Sequence, residues 1–180
     1  SSAASDVYKR QSVAQATAAA SSSQNQSKYE ANVASVAGKM DNRVIAAYQQ
    51  LGFKLVVDPS VNYSGYFDAR SRSITMKQID DSVYHELGHF LAFIAGNVDK
   101  TASFQSIFVA EKANVTAFNK AYVTQNASEY FAESVKDYIL NNASLKNTRP
   151  QTYAAVQNAL NQITDAQIAK IQKIYGAFWN

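Results

Sequence analysis

The two histidines of the 180-residue chain stand four positions apart and frame a glutamate, in the order His85-Glu86-Leu87-Gly88-His89. On a helix, residues four apart lie on one face, so both imidazoles can reach the same metal ion. Zinc is the metal that this H-E-x-x-H pattern binds in metalloproteases, where the glutamate is the general base. The pattern therefore predicts that His85 and His89 bind zinc and that Glu86 takes a proton from the zinc-bound water.

The predicted zinc site needs a third protein ligand, and the chain has no other histidine and no cysteine. Ala92 and Ala95 stand where the longest version of the motif would place glycine and histidine, so a carboxylate must complete the site. The carboxylates downstream of the motif that could do so are Asp99, Glu111, Glu129, Glu133, Asp137 and Asp165.

Two of these carboxylates, Glu129 and Glu133, are again four positions apart and would share one helix face. One could bind the metal while the other accepts the free N–H of a ligating histidine and fixes its tautomer. Glu129 is then the expected ligand and Glu133 the expected partner of a histidine. In the alternative interpretation, Asn126 and Glu129 form a capping pair and Glu133 faces solvent.

Two stretches of the chain together carry a resemblance to a known family. H-E-L-G-H at 85–89 is followed by Y-V-T-Q-N-A-S-E-Y-F-A-E-S at 122–134. This combination resembles the catalytic domain of anthrax lethal factor and its smaller relatives, the secreted bacterial Pro-Pro endopeptidases. The stretches 103–108 and 150–153 are also similar to the Pro-Pro endopeptidases, so the resemblance is dense over residues 82–160 and looser before them.

The resemblance implies a zinc-dependent endopeptidase that is secreted by a bacterium. The protein ligands of one Zn²⁺ per chain would be His85, His89 and Glu129. Glu86 would be the general base, and Glu133 would contact a ligating histidine. Tyr122, seven residues before Glu129, would be a catalytic tyrosine whose hydroxyl stabilises the oxyanion of the scissile carbonyl.

Two positions differ from the pattern of the Pro-Pro endopeptidases. Ser128 stands where those enzymes have a second acidic residue, and the single tryptophan, Trp179, is near the C-terminus instead of in the β region that lines the cleft. The expected partner is therefore an extended peptide or protein substrate, proline-rich chains included, with no more specific cleavage site implied.

The elements that position these residues are predicted from the spacing of apolar side chains. Three- and four-residue steps predict a first helix over residues 29–51. A short strand over 53–57 ends at an Asp-Pro turn, and a β-hairpin follows over 63–76. The segment Ser71–Lys77, directly before the motif helix, is predicted to be the sheet edge that pairs with an extended substrate.

The rest of the chain is predicted to be helical, in segments near 82–96, 101–112, 127–141, 150–162 and 164–177. The expected N-cap residues are Asp80 or Asp81, Asn126 and Thr164, and Pro150 suits a first helical turn. We expect an α+β fold that is mostly α, a zincin-type domain in which a small, mainly antiparallel sheet is followed by a helical half.

The domain organisation follows from composition. Residues 1–27 consist largely of Ser, Ala, Gln and Asn, which offer too little apolar surface to offset the entropy of ordering. We expect a disordered or low-complexity segment there; a linker, a mature N-terminus or a marginal alanine-rich helix are the alternatives. Residues 28–180 are predicted to form a single zinc metallopeptidase domain.

Charge and hydropathy exclude two classes of partner. The net charge is +3, and its basic residues are scattered, so no nucleic acid is expected to bind. No apolar run approaches the roughly 18 residues that a membrane span needs.

We expect a monomer. A non-catalytic zinc-binding module that recognises a protein and a purely structural helical bundle are the alternative functions, and the intact Glu86 favours the enzyme.

Overall fold

The computed structural model describes residues 27–179. A small sheet comes first and helices follow, which is the mostly helical α+β fold that the sequence predicts. The predicted low-complexity segment 1–27 lies outside the described residues, apart from Ser27. Within residues 27–179, no helix combines the length and the apolar content that a membrane crossing requires.

The sheet has four strands in the spatial order β1-β2-β4-β3. They are β1 (Tyr29–Ala31), β2 (Lys54–Val57), β3 (Gly65–Asp68) and β4 (Ser73–Met76). The pairs β1–β2 and β3–β4 are antiparallel, and the central pair β2–β4 is parallel. The sheet is therefore mainly antiparallel, as predicted, with a parallel centre.

The prediction that Ser71–Lys77 forms the free edge of the sheet is wrong. This segment contains β4, whose backbone pairs with β3 on one side and with β2 on the other. The edge strand on this side of the sheet is β3. A hairpin pattern shows that two strands pair with each other but not which of them meets the rest of the sheet.

The single helix predicted over residues 29–51 is also wrong. The segment contains β1 and two separate helices, α1 (Val33–Val36) and α2 (Asn42–Gln50). Each helix has its own cap, because Asn32 accepts the N–H of Ser35 and Asp41 accepts the N–H of Arg43. Most of the apolar residues that suggested one helix are nevertheless buried in the same core, and this common burial explains why their spacing looked like that of a single helix. They are Val33, Met40, Val44, Ile45 and Tyr48.

The helical half agrees more closely with the prediction. It consists of α3 (Ser82–Ile94), α4 (Ala102–Glu111), α5 (Lys120–Val123), α6 (Ala127–Leu140), α7 (Asn142–Thr148), α8 (Pro150–Asn161) and α9 (Asp165–Trp179). The two short helices α5 and α7 were not predicted. Pro150 takes the first turn of α8, and the side chains of Asn126 and Thr164 cap α6 and α9. At α3, Asp80 rather than Asp81 accepts the N–H of Ser82.

The helix α3 lies at the centre of the molecule. All of its residues except His89 are buried, and it packs against α6 and also against β3, β4, α2, α8 and α9. Gly88 allows the close approach of α6, since a Cβ at this position would lie 2.7 Å from both the Cα and the carbonyl oxygen of Ala132. The helix that carries the H-E-x-x-H motif therefore lies directly against the helix that carries Glu129 and Glu133.

Candidate metal centre

The side chains of His85, His89 and Glu129 converge between α3 and α6. The Nε2 atom of His85 lies 3.0 Å from Glu129 Oε2, and the Nε2 atom of His89 lies 3.4 Å from the same oxygen. Among residues 27–179, this is the one group of three metal-binding side chains whose ligand atoms all lie within 4.8 Å of one another. Two imidazole nitrogens and one carboxylate oxygen could hold a metal ion and leave a coordination position open.

Glu133 contacts His85 from the side opposite Glu129. Its Oε2 atom lies 2.7 Å from Nδ1 of His85, and Lys136 Nζ lies 3.7 Å from its other oxygen. A proton held on Nδ1 by this carboxylate leaves the lone pair of Nε2 for a metal. Glu133 is only 7% exposed, so it does not face solvent as the alternative interpretation supposed.

The start of α6 fixes the direction of both glutamates. Asn126 caps this helix by accepting the N–H of Glu129 at 2.8 Å, which places Glu129 in the first turn. The positive end of the helix dipole favours a carboxylate in this turn. Glu133 follows one turn later on the same face. The capping pair that the sequence suggested is therefore present, and it coexists with a Glu129 carboxylate that points to the histidines.

Burial and pairing together set the charges of this group. Burial by itself would lower the pKa of His85, but hydrogen bonds to Glu129 and Glu133 outweigh it and raise this pKa to about 10. Burial would raise the pKa of Glu129 and of Glu133, but contact with the imidazoles holds both below the ordinary glutamate value. The two carboxylates therefore stay ionised and attract a cation to the Nε2 side of the histidines.

Glu86 lies on the same helix but on the side of the sheet. It is buried, and burial raises its pKa above the usual glutamate value. A Cβ on Gly65 would lie 2.8 Å from Cγ of Glu86, so only glycine leaves room for this side chain under β3. Gly65 was not predicted as a residue of the site, although an isolated glycine within a strand pattern often marks such a close approach.

The two tyrosines near the carboxylates face different surroundings. Tyr122 lies on α5, and its ring centroid is 6.3 Å from that of His85. Tyr130 is fully buried on the other face of α6, where its hydroxyl lies 2.6 Å from Oγ1 of Thr152. The structure thus brings Tyr122 next to the histidines and keeps Tyr130 away from them.

The other four candidate carboxylates lie elsewhere. Glu111 accepts hydrogen bonds from the first turn of α8, and Asp137 pairs with Arg149. Asp99 is buried in a 3₁₀ turn after α3, and Asp165 lies in the first turn of α9. Among the six candidate carboxylates, Glu129 is the one that joins both histidines in a group of three.

The edge strand β3 borders this group. The ring of Phe67 stacks on that of His89, with centroids 6.5 Å apart and planes 15° apart. Within the described part of the chain, β4 is the one strand that pairs with β3, so the other side of β3 has no strand partner. An extended peptide that paired with β3 would lie next to the histidines.

The fold and the site together define a small, mostly helical α+β domain in which two packed helices bring an H-E-x-x-H motif and a glutamate to one point. Residues 69–159, just over half of the chain, match the family described as "Anthrax toxin lethal factor, N- and C-terminal domain". The chain belongs to this family, which confirms the resemblance at the level of the family. The matched range contains the group His85, His89 and Glu129, as well as Glu86 and Glu133. No curated protein matches the chain.

Proposed function

We propose that this protein is a zinc-dependent endopeptidase. The observation that carries the proposal is the group His85, His89 and Glu129, whose ligand atoms lie within 4.8 Å of one another. Glu86 on the same helix supports a catalytic role, because a domain that only binds a partner has no need of a general base.

The residues of the site divide the work of hydrolysis. His85, His89 and Glu129 would hold a zinc ion, which would supply the Lewis acidity that activates a water molecule and polarises the scissile carbonyl. Glu133 holds the Nδ1 proton of His85 and so keeps Nε2 free as a ligand. Glu86 accepts a proton from the attacking water and passes it to the leaving amine. Tyr122 donates its hydroxyl to the oxyanion that develops on the carbonyl.

The substrate in this proposal is an extended peptide or protein segment, proline-rich chains included. It adds to the free side of β3, which replaces Ser71–Lys77 as the expected docking edge. The protein acts as a monomer outside a bacterial cell, a location that follows from the resemblance to secreted peptidases.

Metal analysis combined with cleavage-site mapping on a peptide library that includes proline-rich members tests this function. We expect about one zinc per chain, and cleavage that a chelator abolishes and added zinc restores. Glu86→Gln is the matched control, since the amide has the same shape but cannot accept the proton. It should keep zinc and lose roughly 10²–10⁴-fold in turnover.

Two results would contradict the proposal. Cleavage that persists in metal-free protein would exclude the metal from the reaction. A zinc-loaded protein that cleaves no member of the library, with Glu86→Gln binding the same peptides equally well, would instead support the non-catalytic recognition module.

A further inference from the structure

The single tryptophan of the chain, Trp179, ends α9 and reaches the turn between β3 and β4. Its indole Nε1–H donates to the carbonyl oxygen of Ala69 at 3.0 Å. Its ring meets Phe53 and Phe93 edge to face, at centroid distances of 5.7 and 6.4 Å. The last turn of α9 is therefore attached to a hairpin that precedes it by 110 residues.

Arg72 completes this attachment from within the turn. Its guanidinium carbon lies 5.3 Å from the centre of the Trp179 ring. One guanidinium nitrogen donates to the carbonyl oxygen of Leu51 at 3.2 Å, and the other donates to that of Trp179 at 3.4 Å. Arg72 has a φ of 53°, a conformation that is costly for a residue with a Cβ. The contacts of its side chain offset this cost, which glycine would avoid.

The strand that this hairpin carries, β3, is held by β4 on one side and packs on α3, but within residues 27–179 it has no strand on its other side. β3 is four residues long, lies at the edge of the sheet, and exposes Tyr66 to solvent. Short edge strands open easily unless other parts of the chain restrain them. The attachment of the turn to α9 is such a restraint.

A continuous set of ring contacts leads from this attachment to the metal centre. Trp179 packs on Phe53, and Phe53 stacks on Phe67 with planes only 7° apart and centroids 6.1 Å apart. Phe67 in turn stacks on His89. On the same strand, Gly65 leaves room for Glu86. The position of β3 therefore determines how a peptide paired with it is aligned with the two histidines and the base.

We propose that Trp179 and Arg72 form a clamp that holds β3 in its position against α3 and so aligns the substrate with the metal centre. The inference rests on the proposed peptidase function. Trp179 and Arg72 are positioning residues, because neither contacts a metal-binding atom. The clamp acts on the substrate-binding edge and leaves the affinity for the metal unchanged.

Two variants open the clamp in different ways. Trp179→Phe keeps an aromatic ring but loses the N–H that holds Ala69. Arg72→Gly removes the guanidinium and at the same time relaxes the costly backbone conformation, so a loss of function in this variant cannot be ascribed to backbone strain. Phe178→Ala is the matched control, because Phe178 precedes Trp179 on the same helix and is 75% exposed.

Amide hydrogen exchange of the metal-loaded protein tests the clamp without any use of activity. We expect amides of residues 65–73 to exchange about fivefold faster or more in Trp179→Phe and Arg72→Gly, because local opening becomes more frequent. Amides of α6 should exchange at the normal rate in both variants, and Phe178→Ala should match the original protein throughout. Unchanged exchange at 65–73, or equally faster exchange in α6, would overturn the clamp.

Kinetics then tests the alignment of the substrate. With zinc content and zinc affinity unchanged, both variants should lose about tenfold in kcat/KM, mostly through KM, because strand pairing stabilises the bound substrate and the transition state alike. Normal KM and kcat in variants with a loosened hairpin would overturn the alignment role. If the proposed function fails, the original protein itself will cleave no peptide. Hydrogen exchange does not depend on cleavage, so it would still show whether Trp179 and Arg72 restrain β3.

Discussion

Glu129 and Glu133 face different nitrogens of the same imidazole, and this difference separates their expected roles. Glu129 lies at Nε2 of His85, and Glu133 lies at Nδ1. Glu129→Ala removes a proposed ligand and should sharply lower the zinc content of the purified protein. Glu133→Ala leaves all three proposed ligands in place and should weaken zinc affinity by roughly 10–100-fold. Zinc titration of the metal-free variants measures both effects, and the reverse order would exchange the two roles.

The hydroxyl of Tyr122 is expected to matter only when the oxyanion forms. Tyr122→Phe should therefore lower kcat by on the order of 10²–10³ and leave KM and zinc content unchanged. Tyr130→Phe is the control in steady-state kinetics. It should keep the normal kcat and lose about 1 kcal/mol of stability, because its hydroxyl bonds to Thr152 inside the protein. A normal kcat in Tyr122→Phe would remove this residue from the mechanism.

Residues that share one helix face are predicted from their spacing, whereas the long-range contacts of Glu129, Glu133 and Tyr122 with the histidines were expected by elimination and from the family resemblance. The spacing of four within each helix places His85 with His89, and Glu129 with Glu133, on common faces. The isolated Gly65 marks a close approach, but no local pattern shows that its partner is Glu86, because that contact exists only once β3 packs on α3.

The distance between α3 and α6 depends on Gly88. A methyl group there would meet backbone atoms of Ala132 at 2.7 Å, so the helices would have to move apart. Alanine in place of glycine normally stabilises a helix by up to about 1 kcal/mol. We expect the opposite for Gly88→Ala, a loss of roughly 1–3 kcal/mol together with weaker zinc binding, because the ligands on the two helices separate. Thermal unfolding and zinc titration measure the two effects.

A second helical glycine provides the control for this substitution. A Cβ on Gly176, in α9, would lie 3.4 Å from the side-chain nitrogen of Gln172, which can move aside. Gly176→Ala should therefore be neutral or stabilise by up to about 1 kcal/mol, with normal zinc affinity. Normal zinc affinity in Gly88→Ala would show that the two helices need not be this close to bind the metal.

The helices and strands were predicted well where capping and periodicity agree. They were predicted poorly where pairing with a distant strand determines the structure. Asn126 and Pro150 mark the starts of α6 and α8 in the sequence, and both helices begin there. Residues 29–31 carry no strand signal of their own and become β1 because β2 pairs with them. The order of β3 and β4 in the sheet depends in the same way on the parallel pairing of β4 with β2.

For the whole molecule, the metal-free and metal-loaded forms should respond to pH in opposite ways. Without metal, pairing with Glu129 and Glu133 raises the pKa of His85 from 6.5 to about 10. This pairing therefore stabilises the folded state fully between about pH 4.5, the ordinary glutamate pKa, and about pH 6.5, and it is lost as the pH rises toward about 10. Zinc binds the deprotonated imidazole, so the stability of the loaded form should instead fall as the pH drops.

Thermal unfolding at a series of pH values, with zinc and with chelator, measures both trends. His85→Gln is the control, because it removes the titrating group and should flatten the trend of the metal-free protein. A metal-free protein that gains stability from pH 6.5 to pH 10 would contradict the pairing of His85 with the two carboxylates.

The central position of α3 also has a consequence for the synthesis of the protein on the ribosome. The ribosome completes this helix, which is buried on nearly every side in the folded protein, well before it makes α6. At about 5–20 residues per second, the partner helix follows roughly 2–10 s later. We expect a chain that stops at residue 112 to aggregate or to be retained by chaperones, and a chain that continues through α9 to stay soluble, which sedimentation of the translated products would show. We therefore expect the nascent protein to depend on chaperones until the helices that cover α3 have been synthesised.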